Sequence, residues 1–139
     1  MFDVDSRGSR QGRAIDMTSI MIIEDNKHIL AANADYFRLC DYEVIEASTL
    51  EKARAGLSWQ VPNLVILDSH LPDGCGLDFC KELRNTSDIP VIMISAEGGI
   101  AGEADALKQG VSIYLRKPYA MEELLHYVKM LTNYSQRQK

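Results

Sequence analysis

The sequence has no apolar run long enough to cross a membrane and no excess of basic residues. A membrane-spanning helix needs roughly 18 or more consecutive apolar residues, and the 139 residues contain no such run. The formal net charge is -5 at pH 7, whereas nucleic-acid-binding domains usually carry a basic patch or stripe. We therefore expect a domain that neither enters a membrane nor binds nucleic acid directly.

Cysteine is scarce, and its spacing excludes the common cysteine-based sites. The three cysteines are Cys40, Cys75 and Cys80. Their number is odd and they lack Cys-x-x-Cys or Cys/His metal spacing. Structural disulfides belong to oxidising compartments, so we expect free thiols and a cytoplasmic location.

The two ends of the chain differ from its middle. Residues 1–18 contain no continuous hydrophobic segment of the kind found in signal peptides. We expect them to be a disordered leader or a non-native addition before a natural start at Met17. Residues 133–139 are polar and predict a tail or the start of a linker, which leaves a single domain at 19–132.

Within this domain, short apolar runs alternate with amphipathic helical patterns. The five runs, taken as strands, are 20–23, 42–45, 64–68, 91–94 and 112–115. Leu30, Ala34 and Phe37 have the spacing of a helix, and the Ser48-Thr49-Leu50-Glu51 segment has the form of a capping box. The alternation predicts an α/β fold with a parallel sheet, right-handed crossovers and helices on both faces.

Glycines cluster at the start of the fourth predicted helix. Gly98, Gly99 and Gly102 occur there, and each costs about 1 kcal/mol relative to alanine within a helix. Gly110 occupies the usual position after a helix end. We therefore expect the first turn of this helix to be mobile.

Polar residues follow the apolar runs that could share one site. Glu24 and Asp25 follow the first run, Asp68 ends the third, Ser95 follows the fourth and Lys117 follows the fifth. Ligands of open parallel sheets bind beyond the carboxyl ends of the strands. The sequence therefore predicts that three carboxylates, one hydroxyl and one ammonium group meet at one edge.

This set of groups favours phosphoryl chemistry on a metal. Neighbouring carboxylates repel each other unless one is protonated or a cation binds, and an oxygen-only set suits Mg²⁺. Asp68 is the natural nucleophile because carboxylates form aspartyl phosphates. Lys117 and Ser95 would then contact phosphoryl oxygens.

Each residue taken singly has a simpler interpretation. Glu24 and Asp25 could cap the helix that follows them, and Ser95 alone is uninformative. Lys117 alone is more often a solvated charge, and Tyr114 alone is more often a partly buried strand aromatic. Joint placement at successive strand ends is what favours a functional site.

Together, these motifs resemble the receiver domain of bacterial two-component response regulators. The resemblance rests on motifs in order along residues 19–132, namely Glu24-Asp25, Asp68 followed by Leu71-Pro72-Asp73-Gly74, Ser95-Ala96, Tyr114 and Lys117-Pro118. It implies a flavodoxin-like (βα)5 fold with the parallel strands in order 2-1-3-4-5. It also implies a signalling domain, not an enzyme, that catalyses only its own phosphorylation and dephosphorylation.

The resemblance implies a role for each residue around the phosphoryl site. Asp68 is the expected phosphoacceptor, with a sensor histidine kinase or a phosphotransfer protein as donor. The expected Mg²⁺ ligands are Asp25, Asp68 and the backbone carbonyl of His70, while Glu24 acts mainly through water. Lys117 is expected to bind the phosphoryl group, and the Lys117-Pro118 peptide bond to be cis.

The resemblance also implies a conformational switch. Ser95 would move toward the phosphoryl group and Tyr114 would turn inward, which changes the face formed by helix 4, strand 5 and helix 5. A homodimer through this face is a possible partner arrangement, but Ile113, where many members carry Asp, and the glycine-rich start of helix 4 both depart from the family on this face. His70 and Glu97 are expected to tune the phosphoryl lifetime, or else to be ordinary loop residues facing solvent.

The output of the switch stays open at the level of sequence. We expect control of a transcriptional output domain that is absent from this chain, with a stand-alone phosphorelay receiver as the alternative. A phosphatase with a strand-end Asp would carry a second acid at His70, and a flavin module would carry a Ser/Thr/Gly-rich loop after Ile23. A degenerate receiver would not keep the full acidic set.

Overall fold

The structure is a computed structural model that describes residues 17–96 and 99–137. Most of the expected leader, the last two residues of the expected tail, and Glu97 and Gly98 therefore lie outside the described residues. None of the helices in the described ranges combines the length and apolar character needed to span a bilayer.

Five parallel strands form the central sheet. They are β1 (Ser19–Ile23), β2 (Glu43–Ala47), β3 (Leu64–Asp68), β4 (Val91–Ser95) and β5 (Ile113–Arg116). Their spatial order is β2-β1-β3-β4-β5, and every neighbouring pair is parallel. This order confirms the predicted flavodoxin-like fold. A short antiparallel hairpin, His70–Leu71 with Gly74–Cys75, follows β3.

Helices connect successive strands and cover both faces of the sheet. They are α1 (Lys27–Leu39), α2 (Leu50–Trp59), α3 (Gly76–Arg84), α4 (Gly99–Lys108) and α5 (Met121–Arg137). The Asn26 side chain caps α1 by accepting from the backbone N–H groups of His28 and Ile29, at 3.0 and 3.1 Å. A side-chain oxygen at this position satisfies N–H groups that have no partner inside the helix.

Helix α2 starts one residue later than the predicted capping box implies. Thr49, not Ser48, is the N-cap, and its hydroxyl accepts from the backbone N–H of Lys52 at 3.1 Å. The Ser48 hydroxyl instead accepts from Lys52 Nζ at 3.0 Å. Thr49 has the extended backbone typical of an N-cap residue, with φ -145° and ψ 165°.

The unalternated apolar runs are explained by burial on both faces of the sheet. On β1, Met21 and Ile23 pack in the cluster that includes residues of α2, α3 and α4. Ile20 and Ile22 point to the other face, where they pack with α1 and α5. Burying one such side chain contributes about 1.5–3 kcal/mol relative to exposure. The strands next to the site are thus rigid supports for the polar residues at their carboxyl ends.

Candidate functional site

Three carboxylates meet at the carboxyl edge of the sheet. Glu24, Asp25 and Asp68 each offer an oxygen, and these atoms all lie within 4.8 Å of one another. The grouping follows from the strand order, because β1 pairs with β3 and Ile23 is in register with Leu67. Asp68 and Glu24 are only 6% and 8% exposed, whereas Asp25 is exposed. The acidic cluster therefore opens to solvent on the Asp25 side.

Glu24 has an unfavourable environment for a negative charge. Burial raises its pKa to about 7, even though the backbone N–H of Asn26 donates to Oε2 at 3.0 Å and lowers it. The nearby charge of Asp68 contributes to this rise. Crowded carboxylates of this kind are stabilised when a cation lies between them.

Both oxygens of Asp68 accept a hydrogen bond from the protein. Lys117 Nζ lies 2.9 Å from Oδ2, and the backbone N–H of His70 donates to Oδ1 at 3.0 Å. Burial lowers the pKa of Lys117, but the hydrogen bond and the charges of Asp68 and Glu24 outweigh burial and leave the pKa above its ordinary value. The ammonium group is therefore charged beside Asp68 at neutral pH.

Lys117 follows β5, which lies two strands from β3 in the sheet, and its side chain reaches Asp68 at the end of β3. Its backbone N–H donates to the Ser95 carbonyl at 2.9 Å, which extends the pairing of β4 with β5 beyond Arg116. The Lys117-Pro118 peptide bond is cis, the isomer that the resemblance implies.

The predicted site residues line two adjacent spaces. The acidic pocket has a volume of about 400 Å³, and its walls include Glu24, Asp25, Asp68, His70 and Lys117. The second space, here called the inner cavity, has a volume of about 190 Å³ and lies between α3, α4, β4 and β5.

Ser95 and Tyr114 belong to the inner cavity. Both line it, together with Met93 and Leu77, and Ser95 is only 3% exposed. The hydroxyl of Ser69 donates to the hydroxyl of Ser95 at 3.0 Å. The two residues of the expected switch thus line the same cavity, two positions apart in the register of β4 and β5, and neither is among the wall residues of the acidic pocket. Glu97, the other expected lifetime residue, lies outside the described residues.

Sequence reasoning missed the role of Gly76, the first residue of α3. A Cβ atom at Gly76 would overlap the backbone oxygen of Asp68, so this close approach requires glycine. The backbone N–H of Gly76 also donates to the Ser69 carbonyl at 2.9 Å. A glycine at a helix start shortly after a strand-end acid was the available signal.

Sequence reasoning also included Asp73 only as part of the Leu71-Pro72-Asp73-Gly74 motif and assigned it no contact. Its carboxylate accepts from the backbone N–H groups of Leu50 and Glu51, at 2.9 and 3.0 Å. These bonds lower the pKa of Asp73 below its ordinary value. Asp73 thus ties the loop after β3 to the first turn of α2, a contact that local sequence patterns do not contain.

The fold and the site together define a doubly wound α/β domain with an acidic pocket and a lysine at the carboxyl edge of its sheet. Residues 20–129 match the family described as response regulator receiver domain. The chain belongs to this family of signalling domains from two-component systems.

Two relatives are transcriptional regulators of about twice the matched length. The KDP operon transcriptional regulatory protein KdpE of Escherichia coli is 36% identical over 108 residues, which are 78% of this chain and 48% of that protein. The probable transcriptional regulator ycf27 of Cyanophora paradoxa is 33% identical over 117 residues, which are 84% of this chain and 49% of that protein. The chain therefore spans about half the length of these relatives.

A solved structure supports the fold independently. The CheY-like response regulator receiver domain protein of Methanospirillum hungatei superposes with a TM-score of 0.83 at 22% identity. The match covers 89% of this chain and 100% of that chain.

Proposed function

We propose that this domain is a phosphoacceptor switch in which Asp68 takes a phosphoryl group from a sensor histidine kinase or a phosphotransfer protein. The observation that carries the proposal is the position of Asp68. It ends the central strand, lies 2.9 Å from the Lys117 ammonium group, and shares a cluster of oxygens within 4.8 Å with Glu24 and Asp25.

We propose Mg²⁺ as the metal of this site. The donor set fits a hard cation because it contains only oxygen atoms from carboxylates and the backbone. The raised pKa of Glu24 also indicates a place where added positive charge is favourable. Asp25, Asp68 and the backbone carbonyl of His70 would hold the ion directly, and Glu24 would act through water. When bound, the ion supplies positive charge to the carboxylates and the phosphoryl oxygens.

Phosphoryl transfer would use the residues of the acidic pocket in defined roles. An Asp68 oxygen attacks phosphorus, the bond from phosphorus to the donor nitrogen breaks, and its electron pair leaves with the donor, which takes up a proton. The Lys117 ammonium group then transfers its hydrogen bond from the carboxylate to a phosphoryl oxygen. Ser95 donates to another oxygen, and Tyr114 turns inward. His70 borders the acidic pocket, which supports its role, with Glu97, in tuning hydrolysis.

The proposal is tested with a small phosphodonor. Wild-type protein incubated with acetyl phosphate and Mg²⁺ should gain the mass of one phosphoryl group, in a bond that is stable to acid and labile to base. Asp68→Asn and chelation of the metal should each abolish the gain. Asp35→Asn, an exposed acid on α1, is the matched control and should be labelled like the wild type. Equal labelling of Asp68→Asn would overturn the assignment of the nucleophile.

We further propose a cytoplasmic domain, spanning residues 19–132, that controls a transcriptional output domain. The names of the relatives and their greater length support this proposal. The face formed by α4, β5 and α5 would transmit the signal and could form a homodimer. In this structure it carries an ion pair between Arg116 and Glu103 at 3.3 Å. Ile113, at the start of β5, is half-buried. A stand-alone phosphorelay receiver is the alternative output.

A further inference from the structure

Ser69 lies between the two spaces of the candidate site. It is among the residues that line both the acidic pocket and the inner cavity. Ser95, by contrast, is among the residues that line the inner cavity and is absent from those that line the acidic pocket. The contact between the two hydroxyls, 3.0 Å long, therefore holds the Ser95 oxygen near the boundary, on the side of the inner cavity.

We propose that Ser69 is a positioning residue that retains the Ser95 hydroxyl on the cavity side until Asp68 is phosphorylated. This inference rests on the proposed function, because it concerns the switch that follows phosphoryl transfer. In the phosphorylated state Ser95 must approach a phosphoryl oxygen on Asp68, in the acidic pocket. The hydrogen bond from Ser69 favours the other arrangement, so it opposes switching.

The backbone of Ser69 is fixed too firmly to follow Ser95. Its N–H donates to the Ile94 carbonyl at 3.0 Å, and its carbonyl accepts from the Gly76 N–H at 2.9 Å. Ser69 thus remains attached to β4 and to the start of α3 when Ser95 moves. The hydroxyl contact must break during switching, and its free energy enters the equilibrium between the two states.

The size of the expected effect follows from the ordinary strength of a hydrogen bond. One such bond between neutral groups shifts an equilibrium by about three- to tenfold. Removing the Ser69 hydroxyl should therefore raise affinity for a phosphoryl mimic by that factor, since the mimic no longer competes with the bond between the hydroxyls.

The experiment measures the affinity of the whole chain for beryllium fluoride in the presence of Mg²⁺, by 19F NMR. Ser69→Ala should bind it about three- to tenfold more tightly than the wild type. Ser69→Thr keeps the hydroxyl and adds one methyl beside an open cavity, so its affinity should stay close to the wild-type value. In a Ser95→Ala background, Ser69→Ala should leave the affinity for beryllium fluoride unchanged, because the Ser95 hydroxyl that accepts the hydrogen bond has already been removed.

These comparisons separate positioning from a merely structural role. A structural defect in Ser69→Ala would act in the Ser95→Ala background as well, so an equal change in both backgrounds overturns the inference. Unchanged or weaker binding by Ser69→Ala in the wild-type background overturns it too. If the wild type itself bound no beryllium fluoride, the proposed function would fail, whereas failure of the Ser69 comparison alone leaves that function intact.

Discussion

At the scale of single residues, the site depends on how closely other groups approach Asp68. Its two oxygens accept from Lys117 and from the His70 backbone, and Gly76 lies against its backbone oxygen. Asp68 is therefore positioned by its place in β3, by the His70 backbone N–H and by the close approach of Gly76. It belongs to a strand and not to a loop. Such rigid support is what a reacting group needs for a defined geometry.

Gly76→Ala should destabilise the domain. The added methyl group would overlap the Asp68 backbone oxygen, and overpacking of this kind costs about 1–3 kcal/mol. Urea unfolding measures the loss in free energy of unfolding. Gly102→Ala is the matched control, because its Cβ would have only an ordinary contact, 3.7 Å from the Tyr114 hydroxyl. A Gly76→Ala domain as stable as the control would contradict this account.

Asp25→Asn should weaken Mg²⁺ binding on the order of tenfold or more, because ligand charge sets the affinity of such sites. Asp25 is the exposed member of the acidic cluster, so its replacement should leave the fold intact. Calorimetric titration with Mg²⁺ measures the affinity directly. Asp35→Asn should keep wild-type affinity, and an unchanged affinity in Asp25→Asn would exclude this carboxylate as a ligand.

At the scale of elements, the loop after β3 is fixed by contacts with two helices. Asp73 accepts from backbone N–H groups at the start of α2. Gly76, the first residue of α3, lies close to the backbone oxygen of Asp68. The His70 carbonyl, a proposed metal ligand, lies within this loop. The position of α2 is thus coupled to the geometry of the acidic pocket.

Asp73→Ala should lower stability in a pH-dependent way. The pKa of Asp73 is lowered from 3.8 because backbone N–H groups of Leu50 and Glu51 donate to its ionised form. Its contribution is therefore fully present above pH 3.8 and is lost as the pH falls through the lower value of the folded state.

Unfolding free energies measured from neutral pH downward check this prediction. The difference between wild type and Asp73→Ala should be constant near neutrality and should shrink below pH 3.8. Asp88→Ala, an exposed loop substitution, should show little difference at any pH. A gap between wild type and Asp73→Ala that widens in acid would contradict the assigned cap.

The sequence predicted the elements of the fold because each one carries its own periodicity. The apolar run 64–67 of β3 is continuous, and the polar residues at the ends of such runs mark one edge of the sheet. Contacts across distant elements have no such local signal. The bond between Ser69 and Ser95 spans 26 positions, and the cap of α2 by Asp73 spans 23 positions. These contacts appear only when the elements are assembled.

At the scale of the whole molecule, strand order converts separate motifs into one site. Residues 24 and 25 follow β1, Asp68 ends β3 and Lys117 follows β5, yet all line one pocket. The inner cavity shares Ser69 and His70 with that pocket and is lined by residues of α4 and β5. A covalent change at Asp68 is thus adjacent to the face that we propose transmits the signal, which would couple chemistry and output within one domain.

The central claim is that Asp68 itself becomes a mixed anhydride with phosphate, and borohydride reduction tests it most directly. Reduction converts an aspartyl phosphate to homoserine and leaves free carboxylates and phosphorylated hydroxyl groups unchanged. After treatment with acetyl phosphate and Mg²⁺ followed by reduction, peptide mass spectrometry should find homoserine at position 68 and nowhere else. Homoserine at another acidic residue, or phosphate retained with Asp68 unmodified, would contradict the account.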